Sequence, residues 1–281
     1  MDIELHLRRA AEVLDDADAL LITAGAGIGV DSGLPDFRGD TGFWKAYPII
    51  AKLGLSFVDM ANPEWFQRDP KLAWAFYGHR LNLYRETHPH AGFHILLELA
   101  RRKLGGYFVF TSNVDGQFQK AGFDDNRIVE CHGSIHWFQC VQECSDLIWD
   151  AEKAELTVEK ESFKALEPLP ECPKCGKLAR PNILMFGDWQ WNSRRTDGQS
   201  ARLRQWLNHV SEKRASFAIV ETGAGRAVST VRSTSESIAA NYGATLVRIN
   251  PRDFDVPGER HVSIPLGAME GISKINQILE G

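Results

Sequence analysis

The sequence predicts an α/β fold. A doubly wound, parallel-sheet Rossmann-like large domain carries a smaller zinc-binding and helical lobe formed by two insertions. Three observations predict it. Runs at 19–23, 107–110, 217–220 and 245–249 are almost wholly apolar, and continuous rather than alternating runs suit strands covered on both faces, as in parallel sheets. Each run leads into glycines or small polar residues, with helical segments between them at 92–103 and 231–241, the βαβ rhythm of a doubly wound sheet. Two segments break that rhythm: 43–87 is aromatic-rich and helical in pattern, and 137–184 holds four cysteines and few strand signals. The large domain therefore takes 1–42, 88–136 and 185–281, and the small lobe 43–87 and 137–184.

Along the chain, Ile3, Leu5, Ala10, Ala11, Val13 and Leu14 fall among charges, which suggests a surface helix,. The first strand follows and runs into Gly25-Ala26-Gly27-Ile28-Gly29. Glycines there let backbone amides approach a phosphate, and a following helix N-terminus attracts its charge; tight strand-to-helix packing alone gives the same pattern. Arg101-Arg102-Lys103 reads as a solvated helix end, where cations suit the dipole,.

The 281 residues carry a net charge of -5, with 25% charged and 43% hydrophobic. That balance fits a globular chain and supplies no basic face for nucleic acid. No run reaches the roughly 18 apolar residues of a membrane span. The opening MDIELHLRRA lacks an apolar signal core, so a cytoplasmic location is expected and no membrane partner,.

The five cysteines are Cys131, Cys140, Cys144, Cys172 and Cys175. Cys140-x3-Cys144 and Cys172-x2-Cys175, joined by a longer loop, suit tetrahedral zinc. With four thiolate corners no position is open to water, so the zinc is expected to be structural. Cys131 stands apart, either a buried strand cysteine or a redox sensor.

The run 24–39, which continues as Asp31-Ser32-Gly33-Leu34-Pro35-Asp36-Phe37-Arg38-Gly39, resembles the cofactor loop of the sirtuin (silent information regulator) family of NAD-dependent protein lysine deacylases. Further stretches resemble that family in order: Thr111-Ser112-Asn113-Val114-Asp115-Gly116, Glu130-Cys131-His132-Gly133-Ser134, the cysteines, Arg180-Pro181-Asn182-Ile183-Leu184-Met185-Phe186-Gly187-Asp188, Glu221-Thr222-Gly223-Ala224-Gly225, and Ile249-Asn250. The likeness spans nearly the whole chain and is that of a divergent bacterial-type member. The chain departs from the family pattern at Ser112, at Ala224-Gly225, and in the loop Asp188-Trp189-Gln190-Trp191-Asn192.

The resemblance implies that NAD is a co-substrate and acylated lysine of a protein the partner. NAD would meet Gly25, Ala26, Gly27, Ile28, Asp36, Phe37, Arg38, Ser112, Asn113, Asp115, Gly223, Ala224, Gly225 and Asn250. Within that set Asn113 and Asp115 hold the nicotinamide ribose and carboxamide, Ile28 presses on the nicotinamide ring, and Asp36, Phe37 and Arg38 close over it. It also implies that His132 is the general base, with Asn113 beside it, and that the backbone of Met185, Phe186 and Gly187 pairs with the substrate peptide. Nicotinamide and an O-acyl-ADP-ribose are the implied products. Tyr77 and Arg80, three apart and so on one helix face, resemble the pair in family members that remove succinyl or malonyl groups. The other reading is a helix whose Tyr packs inward and whose Arg is solvated. Two further functions stay open, protein ADP-ribosyl transfer from the same site and a non-catalytic NAD-sensing module.

Overall fold

The computed structural model describes residues 2–35 and 45–281. The Asp2 carboxylate caps helix α1 (Ile3–Asp16) by accepting from the Glu4 and Leu5 amides,. Strand β1 (Ala19–Ala24) is buried throughout, and the glycine loop then winds as a 3-10 turn over Ala26–Ser32, not as an α-helix. The first insertion is helical, as expected: α2 (Pro48–Lys52), α3 (Phe57–Met60), α4 (Trp65–Arg68) and α5 (Pro70–Glu86). α5 starts on an Asp69 cap with Pro70 in its first turn, where the missing amide loses no bond. The chain returns through α6 (Ala91–Arg101), β2 (Tyr107–Thr111), α7 (Gln117–Lys120) and β3 (Ile128–Glu130).

The second insertion corrects the expectation. It is built from β4 (Gly133–Cys140), β5 (Ile148–Asp150), the hairpin β6 (Val158–Glu159) and β7 (Lys164–Ala165), and β8 (Ala179–Ile183). Strands β5-β4-β8 form an antiparallel sheet, and β4 starts within the large-domain range and runs into the cysteine segment. The chain closes with α8 (Arg194–Glu212), β9 (Phe217–Thr222), α9 (Thr230–Tyr242), β10 (Thr245–Ile249), β11 (Val262–Ile264) and α10 (Ala268–Glu280).

The main sheet is parallel, in the order β11-β10-β9-β1-β2-β3. Read from the β3 edge this is the doubly wound order, which reverses between β1 and β9. Alternate residues of β1 serve opposite faces. Leu20 and Ile22 pack under α1, α6 and α10, while Ala19 and Leu21 pack under α8 and α9. That is why the strand reads as one continuous apolar run. A third core joins the two insertions, bringing Phe66, Trp74 and Phe76 against Phe138, Phe163 and Ala179. Lys103 is not solvated: its buried ammonium donates to the Leu14 and Asp15 carbonyls and caps the end of α1,. No helix among the described residues is long and apolar enough to cross a membrane.

Candidate active site

In a doubly wound sheet the ligand crevice lies beyond the strand ends where the order reverses, here between β1 and β9. The Gly25 amide donates to the Thr222 carbonyl and the Gly27 amide to the Gly223 carbonyl, both at 3.0 Å. A Cβ on Gly27 would stand 2.7 Å from the Gly223 Cα, and one on Gly223 (φ 63°) 2.2 Å from the Ile28 nitrogen. These glycines therefore bring two loops into backbone contact, and their amides are used inside the protein instead of facing a phosphate. Two buried asparagines brace the loops. Asn113 Nδ2 donates to the Gly25 carbonyl at 3.2 Å and Asn250 Nδ2 to the Ala224 carbonyl at 2.7 Å.

A cavity of about 540 Å³ runs from this crevice into the small lobe. Its walls include Gly25, Ala26, Ser112, Asn113, Asp115, His132, Gly223, Ala224 and Gly225 from the large lobe. Tyr77, Arg80, Met185 and Phe186 line it further along. Gly27, Ile28, Gly187 and Asn250 are not among its walls. Ile28 is fully buried in the core, and its carbonyl is hydrogen-bonded by His90 Nε2 at 2.9 Å. Asp36, Phe37 and Arg38 lie outside the described residues.

His132 sits between β3 and β4, half-buried. Burial lowers the pKa of its imidazole, against a ring N–H donated to the Ser112 carbonyl. The ring is thus neutral near pH 7, with one nitrogen left to accept a proton. The strand before it is clamped: buried Glu130 pairs with Arg195 of α8, and the Glu130 carbonyl accepts from Thr196 Oγ1 at 3.1 Å. The Leu184 amide donates to the His132 carbonyl at 2.9 Å, which ties the histidine to the end of β8. Asp115 is buried, and burial pushes its carboxyl up to about 6, although Oδ1 accepts from the Gln117 amide at 2.9 Å. His136 donates to the Asp115 carbonyl at 2.9 Å and is structural.

At the far end, α5 turns Tyr77, Arg80 and Tyr84 into the cavity. The Arg80 guanidinium is buried among the rings of Phe57, Phe76, Tyr77 and Tyr84, at 5.3 to 6.0 Å from their centroids. Its Nε and Nη2 donate to the Tyr84 hydroxyl at 3.1 and 2.9 Å. The Tyr77 hydroxyl is buried with no hydrogen-bond partner among the described residues. A solvated Arg80 is therefore excluded. Tyr84 and Phe57 were not singled out from the sequence; the Tyr77-x6-Tyr84 spacing, which keeps one helix face, is the signal that marks Tyr84.

The candidate metal centre is formed by the four cysteines of the second insertion, none of which is among the cavity walls. The sulfurs of Cys140, Cys144, Cys172 and Cys175 all lie within 4.8 Å of one another, with the Cys140–Cys175 and Cys144–Cys172 pairs at 3.6 Å. Tetrahedral zinc with bonds of about 2.3 Å sets its sulfurs roughly 3.8 Å apart, so the four residues fit zinc. The turn after Cys172 is tight, with Gly176 at φ 67° donating to the Cys172 carbonyl at 2.9 Å.

Fold and site together define a doubly wound dinucleotide-binding protein whose cavity reaches from the sheet's switch point, past a neutral histidine, into a thiolate-pinned lobe. The chain belongs to the Sir2 family, whose model matches residues 25–200. An NAD-dependent protein deacylase of Thermus thermophilus is 32% identical over 95% of this chain and 93% of its own length. One of Thermococcus kodakarensis is 37% identical over 65% of each. Among solved structures, a Sir2 homologue–NAD complex superposes with a TM-score of 0.72 at 25% identity, over 97% of this chain and 93% of its own. An ADP-ribose complex of a Sir2 homologue mutant gives 0.71 at 26%, over 100% and 97%.

Proposed function

We propose that the protein is an NAD-dependent protein lysine deacylase whose acyl pocket accepts acidic acyl groups as well as acetyl. The observation that carries this is a single cavity holding the Gly25/Gly223 crevice, His132 and the Tyr77–Arg80 pair together. NAD supplies a ribose carbon that becomes electrophilic as nicotinamide leaves. The chain's own residues do the rest. Asn113 and Asp115 orient the nicotinamide ribose and carboxamide, and Asp115 offers a buried acceptor to the amide. Neutral His132 takes a proton from the ribose hydroxyls, a task suited to a base whose pKa lies near or below working pH. Zinc on the four thiolates supplies no chemistry at the reacting atoms and holds the lobe that carries the acyl pocket.

The peptide lies along 185–187 as an added strand. The Met185 amide donates to the Asp188 carboxylate at 3.3 Å and the Phe186 amide to the Ala61 carbonyl at 2.9 Å. Pairing in this conformation therefore draws on the segment's carbonyls and on Gly187. A succinyl or malonyl carboxylate reaching Arg80 meets charged donors, with the Tyr77 hydroxyl beside it, as a desolvated carboxylate requires.

The test is nicotinamide release with and without an acyl-lysine peptide. Release that depends on the peptide, matched by free lysine and O-acyl-ADP-ribose, is the expected outcome. Labelled ADP-ribose appearing on protein would reassign the site to ADP-ribosyl transfer, and no release at all would leave only NAD sensing.

A further inference from the structure

The loop after the peptide-binding segment is held on both sides of one residue, and that residue faces water. Trp189 is 97% exposed. Before it, the buried Asp188 carboxylate is gripped by Arg180 and also accepts from the Met185 and Gln190 amides. After it, the Gln190 carbonyl accepts from Gln139 Nε2 at 2.8 Å, and Gln190 Nε2 donates to Glu143 Oε1 at 2.7 Å. The turn is thus fixed by a buried ion pair and by β4, so the exposure of the indole is imposed by the fold. Leu184 and Phe186, at the mouth of the cavity, are 37% and 40% exposed. The three side chains fall within six consecutive positions: Leu184 and Phe186 line the cavity, and Trp189 follows two residues after Gly187, where the segment proposed to pair with the peptide ends.

We propose that Trp189 is a specificity-determining residue that selects peptides with a bulky apolar side chain within two positions of the acyl-lysine. The proposal rests on the deacylase reading of the same cleft. An indole held open to water on a pinned turn presents a large contact area with little ordering left to lose on binding, which is the character of an interface anchor. The partner it fits is apolar because its two exposed neighbours on this segment, Leu184 and Phe186, are apolar. Strand spacing of about 3.3 Å per residue brings a side chain flanking the acyl-lysine within reach of it.

The experiment compares kcat/KM at saturating NAD for succinyl-lysine peptides carrying Leu, Phe, Gly or Lys at the flanking positions on either side. In the wild-type protein Leu and Phe should be favoured over Gly by about tenfold, the scale of one interface anchor. Trp189→Ala should bring that ratio close to one, and Trp189→Phe should keep most of it. An unchanged ratio in Trp189→Ala overturns the proposal, as does a preference for flanking Lys. A dimer seen in sedimentation and lost in Trp189→Ala, with the peptide ratio unaltered, gives the indole to a second copy of the chain and also overturns it. Turnover of the Gly peptide keeps the deacylase reading alive in each of these cases. If no acyl peptide is turned over, that reading fails and the proposal falls with it.

Discussion

The two lobes fix their candidate site residues by different physics. In the large lobe the loops that carry Gly25, Asn113, Gly223 and Asn250 spring from adjacent parallel strands and are tied to one another through backbone atoms. Their positions follow from the sheet. In the small lobe Tyr77 and Arg80 sit on a helix that meets the second insertion through an aromatic core, and that insertion is gathered by four cysteines. A sheet buried on both faces is redundant, whereas a lobe gathered at one metal has a single point of failure.

Metal removal should therefore give the largest effect and fall on one lobe. Structural zinc in small domains contributes about 10–16 kcal/mol of apparent binding energy, which is also folding energy. Cys172→Ala is expected to bind no zinc, to lose hydrogen-exchange protection across β4, β5 and β8, and to be inactive, while β1, β2, β9 and β10 stay protected. Equal loss of protection in both lobes would show that they unfold as one unit and dissolve the comparison.

His132→Ala probes the seam between the lobes. A general base contributes about 10²–10⁴ in rate, and the variant should lose that much deacylation while calorimetry finds NAD binding largely kept. A parallel loss of NAD affinity would mean that the clamp from Glu130 to Arg195 and Thr196 carries the histidine's importance, through loop position instead of proton transfer.

How much of this was legible follows the same division. The strands at 19–23, 107–110, 217–220 and 245–249 announced themselves because both faces of a parallel sheet are apolar, and the cysteines because thiolate spacing is itself a signal. Strands β4 and β8 gave no apolar run of their own, and 180–188 read as a strand only through the family resemblance. Their buried Gln139, Arg180 and Asn182 look like loop residues because each bonds to a partner distant in sequence or in the next loop: Asn182 Nδ2 donates to Gln139 Oε1 at 2.9 Å, and Arg180 pairs with Asp188. Lys103 was misread for the same reason, since the carbonyls it caps belong to another helix. The Tyr77–Arg80 pair was marked by the family resemblance together with helical spacing, and the same spacing carried one turn further reaches Tyr84, which the cavity brings beside them.

Asp115 sharpens the comparison from within the large lobe, where a site residue strains the fold that holds it. Its folded pKa of about 6 lies above the ordinary value near 3.9,. Below about pH 4 both states are protonated and nothing is gained or lost. As pH rises from 4 to 6 the unfolded chain ionises first, so stability falls, and above pH 6 the deficit is constant at roughly 3 kcal/mol, about 1.4 kcal/mol per pKa unit. Asp115→Asn should raise the melting temperature at pH 8 but not at pH 4, while nicotinamide release falls. A variant no more stable at pH 8 would mean that the carboxylate is better solvated than its burial implies.

The smallest effect belongs to the small lobe and is one of choice between substrates. Arg80 lies among Phe57, Phe76, Tyr77 and Tyr84, so methionine, unbranched and polarizable, can fill its place among the rings. What Arg80→Met removes is the charged donor fork. A succinyl carboxylate loses hydrogen bonds of about 1.5–3 kcal/mol, which is tenfold or more in kcat/KM. An acetyl group ends in a methyl and has no such bond to lose. Desuccinylation should therefore fall at least tenfold while deacetylation stays within about twofold, since the large-lobe residues that act on the common amide are untouched. Zinc content and the melting temperature, measured on the same preparation, separate this from collapse of the lobe, which would lower both activities together. An equal fall on both substrates, with zinc retained, makes Arg80 a strut between α5 and its aromatic neighbours and leaves the acyl preference without a residue to carry it.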